Sequence, residues 1–426
     1  MNEYMNPPLG GLAYLYGSNA DVSVSSRFVA TLTMHLKTSV LESALADAMK
    51  RFPNLAVGSR VQDDRLVLYH IDAPVRVFDI KDADQPYVFG DPALNGYLFK
   101  VSVSHKTICF DFSRALVDEQ GLVAFVKAVI YRYLDLSGYP AGNDGTVKFM
   151  KDSPLATEGS DPLPRIDDLP ASRPVWYMDA KAVNVPVADG VREDVVQMRI
   201  PKSKLKGDRI QLVNIPVTYL APVFSHAVYE QHEDDILPGE YVVASVQVNL
   251  RPYIPSASMC PYTTPVYLAY NRNLRDYPYG TVLMSQKKLL EAQLRTDALA
   301  YSAQRKIGEI EKAYGSKGTF DDVRDRFAAC HEKVSSRSTY DICRVGNLIL
   351  PDAVQRYVTE FYPVIPSGRY PYSLTVANFR GDVIVTVCGR RRVKEVCARF
   401  VELLLQNDID TFIADEFSFI PMDNHM

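Results

Sequence analysis

The chain has 426 residues, of which 47% are hydrophobic and 23% are charged, as is usual for a folded globular protein. This length is enough for two or three domains, or for two large lobes. The net charge of −4 gives no electrostatic reason to expect a nucleic acid or an anionic membrane surface as a partner.

The sequence carries no sign of a membrane span or of a secretion signal. No apolar run approaches the roughly 18–20 residues that cross a bilayer. The first residues, MNEYMNPPLGG, lack the basic and apolar regions of a signal peptide, so we expect a cytoplasmic protein. The six cysteines are scattered without a C-x-x-C pair, so neither a disulfide framework nor a metal site is predicted.

Strands and helices are mixed in the first half of the chain. Alternation of apolar residues predicts strands, and apolar residues at helical spacing predict helices. Strands are predicted at 27–36, 56–61, 65–70, 97–103 and 107–113, and helices at 38–52 and 121–135. Ser39 and Glu42 have the spacing of a capping box at the start of the first helix, and Pro53 ends that helix.

The second half follows a stretch at 137–175 that is rich in Pro, Gly, Asp and Ser. Strands are predicted at 193–201, 241–249 and 341–350 and in a hairpin at 372–387, and helices at 217–232, 281–314 (one long or two), 319–335 and 392–405. The mixture predicts an α/β or α+β protein with one lobe at 1–150, a linker at 151–175 and a second lobe at 176–426.

One strand–turn–helix stretch, CFDFSRALVDEQG at 109–121, carries polar side chains from a strand end into a turn, where many enzymes place their chemistry. It resembles the active-site segment of CoA-dependent acyltransferases of the chloramphenicol-acetyltransferase superfamily. The signature of that superfamily, HHxxxDG, falls on residues 113–119. Three further stretches, at 32–55, 246–256 and 342–351, resemble motifs of the bacterial alcohol-acetyltransferase-like branch, in the same order along the chain.

The resemblance implies two similar lobes, each a mixed sheet with flanking helices, and a tunnel between them. In relatives, acyl-CoA or an acyl carrier would donate from one side and a small alcohol or amine would accept from the other. A CoA thioester would thus be a donor substrate, and no bound cofactor or metal is implied. Condensation domains share this fold.

Arg114 occupies the position of the histidine that acts as general base in the family. A guanidinium is always protonated and has no lone pair that can accept a proton, so Arg114 cannot be that base. Loss of a general base typically removes about 10²–10⁴ in rate. Two interpretations of Arg114 stay open: it fills an unused site and pairs with Asp118, Asp111 or Glu119, or it forms an anion site together with Arg344.

The other motif positions are partly changed. Ser113 replaces the first histidine, and Cys343-Arg344 replace a Ser-Asn pair that lines the tunnel in relatives. The resemblance implies that Asp118 forms a structural ion pair with Arg251 of the other lobe.

Other residues are poor candidates to replace the missing general base. Asp111 is interpreted either as a tunnel residue or as a solvent-facing strand residue. Cys343 is a candidate nucleophile without an identifiable histidine neighbour. His105 lies at a predicted turn too far from Arg114, His226 lies on a predicted helix, and His331 has no motif around it.

Two functions therefore remain. The first is acyl transfer from a CoA or carrier thioester to an alcohol or amine, by a mechanism without the usual histidine. The second is a non-catalytic relative, a pseudoenzyme that holds an anionic ligand or a partner between the lobes. The second is preferred because of Arg114 and Arg344.

Overall fold

A computed structural model describes residues 4–17, 22–81, 88–142, 144–148, 151–174, 181–185, 187 and 190–422. The strands are β1 Ser25–Leu32, β2 Val57–Gln62, β3 Arg65–His70, β4 Val77–Asp79, β5 Phe99–Ser104, β6 Thr107–Ser113, β7 Glu193–Pro201, β8 Val242–Asn249, β9 Thr263–Tyr270, β10 Tyr340–Asn347, β11 Val358–Val364, β12 Tyr372–Phe379, β13 Asp382–Gly389 and β14 Phe412–Phe419. The helices are α1 Leu9–Gly17, α2 Thr38–Arg51, α3 Glu119–Leu136, α4 Pro216–Gln231, α5 Arg272–Arg275, α6 Tyr279–Gln293, α7 Thr296–Gly315, α8 Phe320–Ser335, α9 Asp352–Gln355 and α10 Val393–Gln406.

The first sheet has five strands in the order β11-β1-β6-β5-β4. Alternation along β6 sends Phe110 and Phe112 towards α3, where both rings pack edge-on against Phe125. Cys109 and Asp111 therefore lie on the opposite face of the sheet. This sheet and its helices form the first lobe.

The second sheet has seven strands in the order β14-β7-β13-β12-β10-β8-β9. One face is apolar and packs on helices, as at the contact between Phe224 of α4 and Phe400 of α10. The other face carries a cross-strand row of polar residues that are direct neighbours in the ladders: Gln247, Cys343, Thr375, Thr386 and Gln197. A sheet face with polar residues at its centre is unusual for a core, and here it faces the functional site.

The two lobes are joined by more than the chain connection. Strand β11 comes from the second half of the chain, yet it pairs with β1 at the edge of the first sheet. Within the predicted linker, Glu158 is buried and pairs with Arg51 of α2, while Ser258 donates a hydrogen bond to the carbonyl of Ser160. The boundary at 151–175 therefore does not separate the two sheets, because one strand crosses over and the segment itself packs on both lobes.

The α/β fold class and its two mixed sheets with flanking helices are confirmed. The predicted region 281–314 is two helices, α6 and α7. The predicted capping box is wrong, because α2 begins after Lys37 and no side chain caps it. Seven elements of the structure were not predicted: α1, β4, β9, α5, α9, β11 and β14.

Candidate functional site

The turn between β6 and α3 is fixed at both ends by backbone and capping hydrogen bonds. The Arg114 N–H donates to the carbonyl of Val24 at 3.0 Å. Asp118 is the N-cap of α3, and its carboxylate accepts from the Gly121 N–H at 3.0 Å. Because Asp is a preferred N-cap residue, the sequence itself defines where the helix begins. The turn therefore presents its side chains from a rigid frame.

Asp118 and Arg251 form an ion pair between the lobes. Arg251 Nη1 lies 2.6 Å from Asp118 Oδ2, and the same oxygen accepts from the Tyr262 N–H at 3.0 Å. Burial raises the pKa of Asp118, and Arg251 opposes that rise. The Arg251 guanidinium also donates to the carbonyls of Ser258 and Cys260. Because the donors of the Arg251 guanidinium are satisfied, this ion pair stabilises the contact between the turn and the segment that follows β8.

Arg114 pairs with Glu119, one of the three acids considered from the sequence. Its Nε lies 3.0 Å from Glu119 Oε1, and its guanidinium carbon lies 4.9 Å from the ring centroid of Tyr14 on α1. Glu119 is buried and also accepts hydrogen bonds from the Ser26 hydroxyl at 2.8 Å and the Cys343 thiol at 3.8 Å. Burial lowers the pKa of Arg114, but Glu119 and the other acidic groups nearby together outweigh burial, so the net pKa is raised and the cation persists.

Asp111 lies away from this cluster. It is buried and paired with Arg27, its cross-strand neighbour on β1, with Nε to Oδ1 at 2.7 Å. The Arg27 guanidinium stacks over the ring of Phe419 at 4.4 Å. Asp111 is therefore not solvent-facing, and its carboxylate is already paired with Arg27. Ser113 is also buried, and its hydroxyl accepts from the Ala115 N–H at 3.3 Å.

A cavity of about 190 Å³ opens beside Arg114. Its lining includes five basic residues and two acidic ones: Arg114, Arg305, Lys306, Arg337 and Arg369, with Glu309 and Asp341. Arg337 pairs with Glu309 at 3.0 Å, which offsets one of the acids. The lining thus carries more basic than acidic side chains, with Arg114 itself paired with Glu119.

Arg344 does not join Arg114 in this cavity. It is exposed, it is not part of the cavity lining, and Tyr253 is the neighbour whose charge acts on it. Cys343, one position before it, points to the Arg114 side because side chains alternate along β10. Arg114 and Arg344 therefore do not form an anion site together, and the expectation that their side chains converge is wrong.

Several cavity residues were not anticipated from the sequence. Burial and the charge of Arg114 lower the pKa of Lys306 to about 8. Burial, and then Arg369 and Lys306, lower the pKa of His331 to about 4. Burial raises the pKa of Asp341, which accepts from Gln247 Nε2 at 2.9 Å. Of these three residues, only Asp341 could have been found from the sequence, because it lies two positions before Cys343 and so shares its face of the predicted strand.

Among the residues that the structure describes, no group of three or more His, Cys, Asp or Glu side chains could hold a metal ion. In the same part of the chain, no helix is long and apolar enough to cross a bilayer.

No protein-family model matches the chain, and no curated protein matches it. Solved structures do match over nearly its whole length. Polyketide synthase associated protein 5 from Mycobacterium tuberculosis superposes with a TM-score of 0.59 at 11% identity, covering 94% of this chain and 98% of that one. The epimerization domain of the third module of tyrocidine synthetase B gives 0.60 at 9% identity, covering 96% of both chains.

A structure solved with coenzyme A also matches the chain. TRI101 from F. sporotrichioides, solved in complex with coenzyme A and T-2, gives a TM-score of 0.56 at 10% identity, covering 94% of this chain and 96% of that one. The chain therefore has the two-lobed fold of CoA-dependent acyltransferases and condensation domains, which confirms the resemblance at the level of fold. At these identities the likeness is one of fold alone.

Proposed function

We propose that the protein binds a small organic anion in the cavity beside Arg114 and does not carry out histidine-dependent acyl transfer. The observation that carries the proposal is the charge of the cavity, with five basic residues against two acidic ones. A cavity of one charge sign, partly shielded from water, favours ligands of the opposite sign.

Arg369 is the group best placed to hold the anion. It lines the cavity, and its Nε is buried without a hydrogen-bond partner among the described residues. In that part of the chain no carboxylate lies within 4.0 Å of its guanidinium, whereas Arg114 is already paired with Glu119. A buried donor without a partner is costly, and a ligand carboxylate would satisfy it through a charge-assisted hydrogen bond.

The catalytic alternative is acyl transfer from a CoA or carrier thioester to an alcohol or amine. The fold favours it, and TRI101, similar in fold, was solved with coenzyme A. Two of the groups closest to Arg114 are poor bases, however. Burial raises the pKa of Tyr14 to about 12 and the pKa of the Cys343 thiol far above its usual range, so both stay protonated near neutral pH.

Calorimetric titration tests the binding proposal. We expect 3-phenyllactate to bind the wild-type protein, and the uncharged 3-phenyl-1,2-propanediol to bind at least about tenfold more weakly. Arg369→Gln should weaken the binding of phenyllactate by at least about tenfold. The control is Arg356→Gln, at an exposed arginine at the C-terminal end of α9, which should leave the affinity unchanged. Equal affinity for the acid and the diol would contradict the proposal.

Free-thiol release from acetyl-CoA, with a panel of alcohols and amines, tests the catalytic part. We expect none from the wild type. Acceptor-dependent release by wild type would show that acyl transfer persists without the histidine. Release by Arg114→His, but not by the wild type, would support an active-site turn that lacks only its general base.

A further inference from the structure

Lys306 is the one amine in the cavity lining, and it lies close to the turn that carries Arg114. It belongs to α7, and its Nζ donates to the carbonyl of Thr263 at 3.0 Å. Its charged neighbours are Arg114, Asp118, Asp341 and Glu119. Among the described residues no carboxylate lies within 4.0 Å of the amine, so no ion pair holds it in the protonated form.

Its surroundings make Lys306 a nucleophile. Burial and Arg114 lower its pKa to about 8, so roughly a quarter of the amine is neutral at about pH 7.5. A neutral amine has the lone pair that attacks carbonyl carbon, and lysines in such environments form Schiff bases. Most lysines of this chain are exposed, and their amines lack this environment.

His331 and Arg369 complete the geometry. His331 Nε2 donates to the carbonyl of Ala13 at 2.6 Å, which leaves Nδ1 as an acceptor in the neutral ring. Both Arg369 and Lys306 act on the pKa of His331, so a cation and a neutralisable amine lie near the same imidazole in one cavity. A ligand with an anionic group next to an electrophilic carbon matches that pair.

We infer that the ligand is a 2-oxo acid, whose carboxylate is held by Arg369 and whose carbonyl carbon is bound by Lys306 Nζ as an imine. This inference rests on the proposed function. The neutral amine attacks the carbonyl carbon and the C–N bond forms. The C–O bond then breaks, and both amine hydrogens leave with the carbonyl oxygen as water, so one ketone and one amine give one imine and one water. No oxidant or reductant is needed.

The cavity limits the size of the side chain. A protein cavity of about 150 Å³ holds benzene, and this one measures about 190 Å³. Its lining includes Val24, Ile310 and Phe327, which suit an apolar body. A 2-oxo acid that carries one ring, such as phenylpyruvate, matches this lining, because the cavity has room for the ring and Arg369 for the carboxylate.

Reductive trapping tests the inference. The protein is incubated with phenylpyruvate and cyanoborohydride, and adducts are located by peptide mass spectrometry. We expect one adduct, on the peptide that contains Lys306. Lys306→Met should lose at least about nine tenths of it, and Lys312→Met, at an exposed lysine on the same helix, should keep it. Adducts spread over many lysines, or unchanged in Lys306→Met, would overturn the inference.

Phenyllactate titration separates this inference from the proposed function, because phenyllactate lacks the carbonyl. Phenyllactate binding without a phenylpyruvate adduct would overturn the imine and leave the anion site standing. Absence of both would overturn both. Unchanged urea unfolding of Lys306→Met would show that a lost adduct does not come from misfolding, and would support the inference.

Discussion

At the scale of single residues, the protein places several charges inside. Among the described residues, four arginine–carboxylate pairs have at least one partner almost fully buried: Arg27–Asp111, Arg51–Glu158, Arg114–Glu119 and Arg251–Asp118. Removing a charge from water is expensive, and a buried pair is tolerated only where further hydrogen bonds satisfy it. Two of these pairs hold the site, and Arg51–Glu158 holds the segment that crosses between the lobes.

Glu158 predicts a pH dependence of stability. Burial tends to raise its pKa, but hydrogen bonds from Arg51 and Lys148 prevail and lower it from 4.5 to about 2. A depressed pKa contributes stability above the unfolded value of 4.5, and that stability is lost as the pH falls towards about 2. Between pH 6 and 3 the wild type should lose about 2 kcal/mol more of its unfolding free energy than Glu158→Gln.

Urea unfolding at several pH values measures this difference. Glu42→Gln is the control, because Glu42 is exposed on α2, where substitutions contribute little. If the unfolding free energies of the wild type and Glu158→Gln fell in parallel with pH, the contacts of Glu158 would not lower its pKa as described.

At the scale of elements, α1 covers the site through a close approach of backbone to backbone. A Cβ added at Gly11 would lie 2.2 Å from the carbonyl oxygen of Ala115, in the turn that holds Arg114. Nothing lies within 4 Å of a Cβ added at Gly308 on α7. Both glycines are helical, so the two positions differ in packing rather than in backbone preference.

Gly11→Ala should therefore lower the free energy of unfolding by about 2 kcal/mol, because α1 must move away from Ala115. Gly308→Ala should raise it by about 0.5–1 kcal/mol, because Ala favours helix and meets no obstacle. Chemical denaturation measures both changes. Equal effects of the two substitutions would mean that α1 does not pack as described.

The elements that could be predicted are those with a strong pattern of their own. Helix α2 has a stripe of apolar residues and a terminating Pro53, and α10 places Val396, Phe400 and Leu404 on one buried face. The elements that were missed lack such a pattern. Strand β9 contains Pro265 and β11 contains Pro363, which argue against a strand, and the pairing partner of β11 is β1, far along the chain.

The residues of the site also fall into those that the sequence predicts and those that it does not. The turn at 113–118 could be found because its residues are contiguous and resemble a known signature. Tyr14, Lys306 and Arg369 come from distant segments and carry no motif, so only the folded chain brings them to one cavity. The same applies to Arg344, whose sequence position beside Cys343 does not reveal that it points the other way.

At the scale of the whole molecule, the lobes should open together. Strand β11, the Asp118–Arg251 pair and the segment around Glu158 all connect them. We expect hydrogen exchange under native conditions to give equal opening free energies for amides of β6 in the first sheet and β12 in the second. A first sheet that opens at clearly lower free energy than the second would contradict this cooperativity.

The crossover strand also has a consequence for the order in which the protein is made. Arg27 of β1 pairs with Val364 of β11, so the first sheet lacks its edge strand until almost the entire chain has been synthesised. Until then β1 exposes unpaired backbone groups, and closing so long a loop is slow. The newly made first lobe should therefore depend on chaperones, or on its own slow maturation, far more than its local sequence suggests.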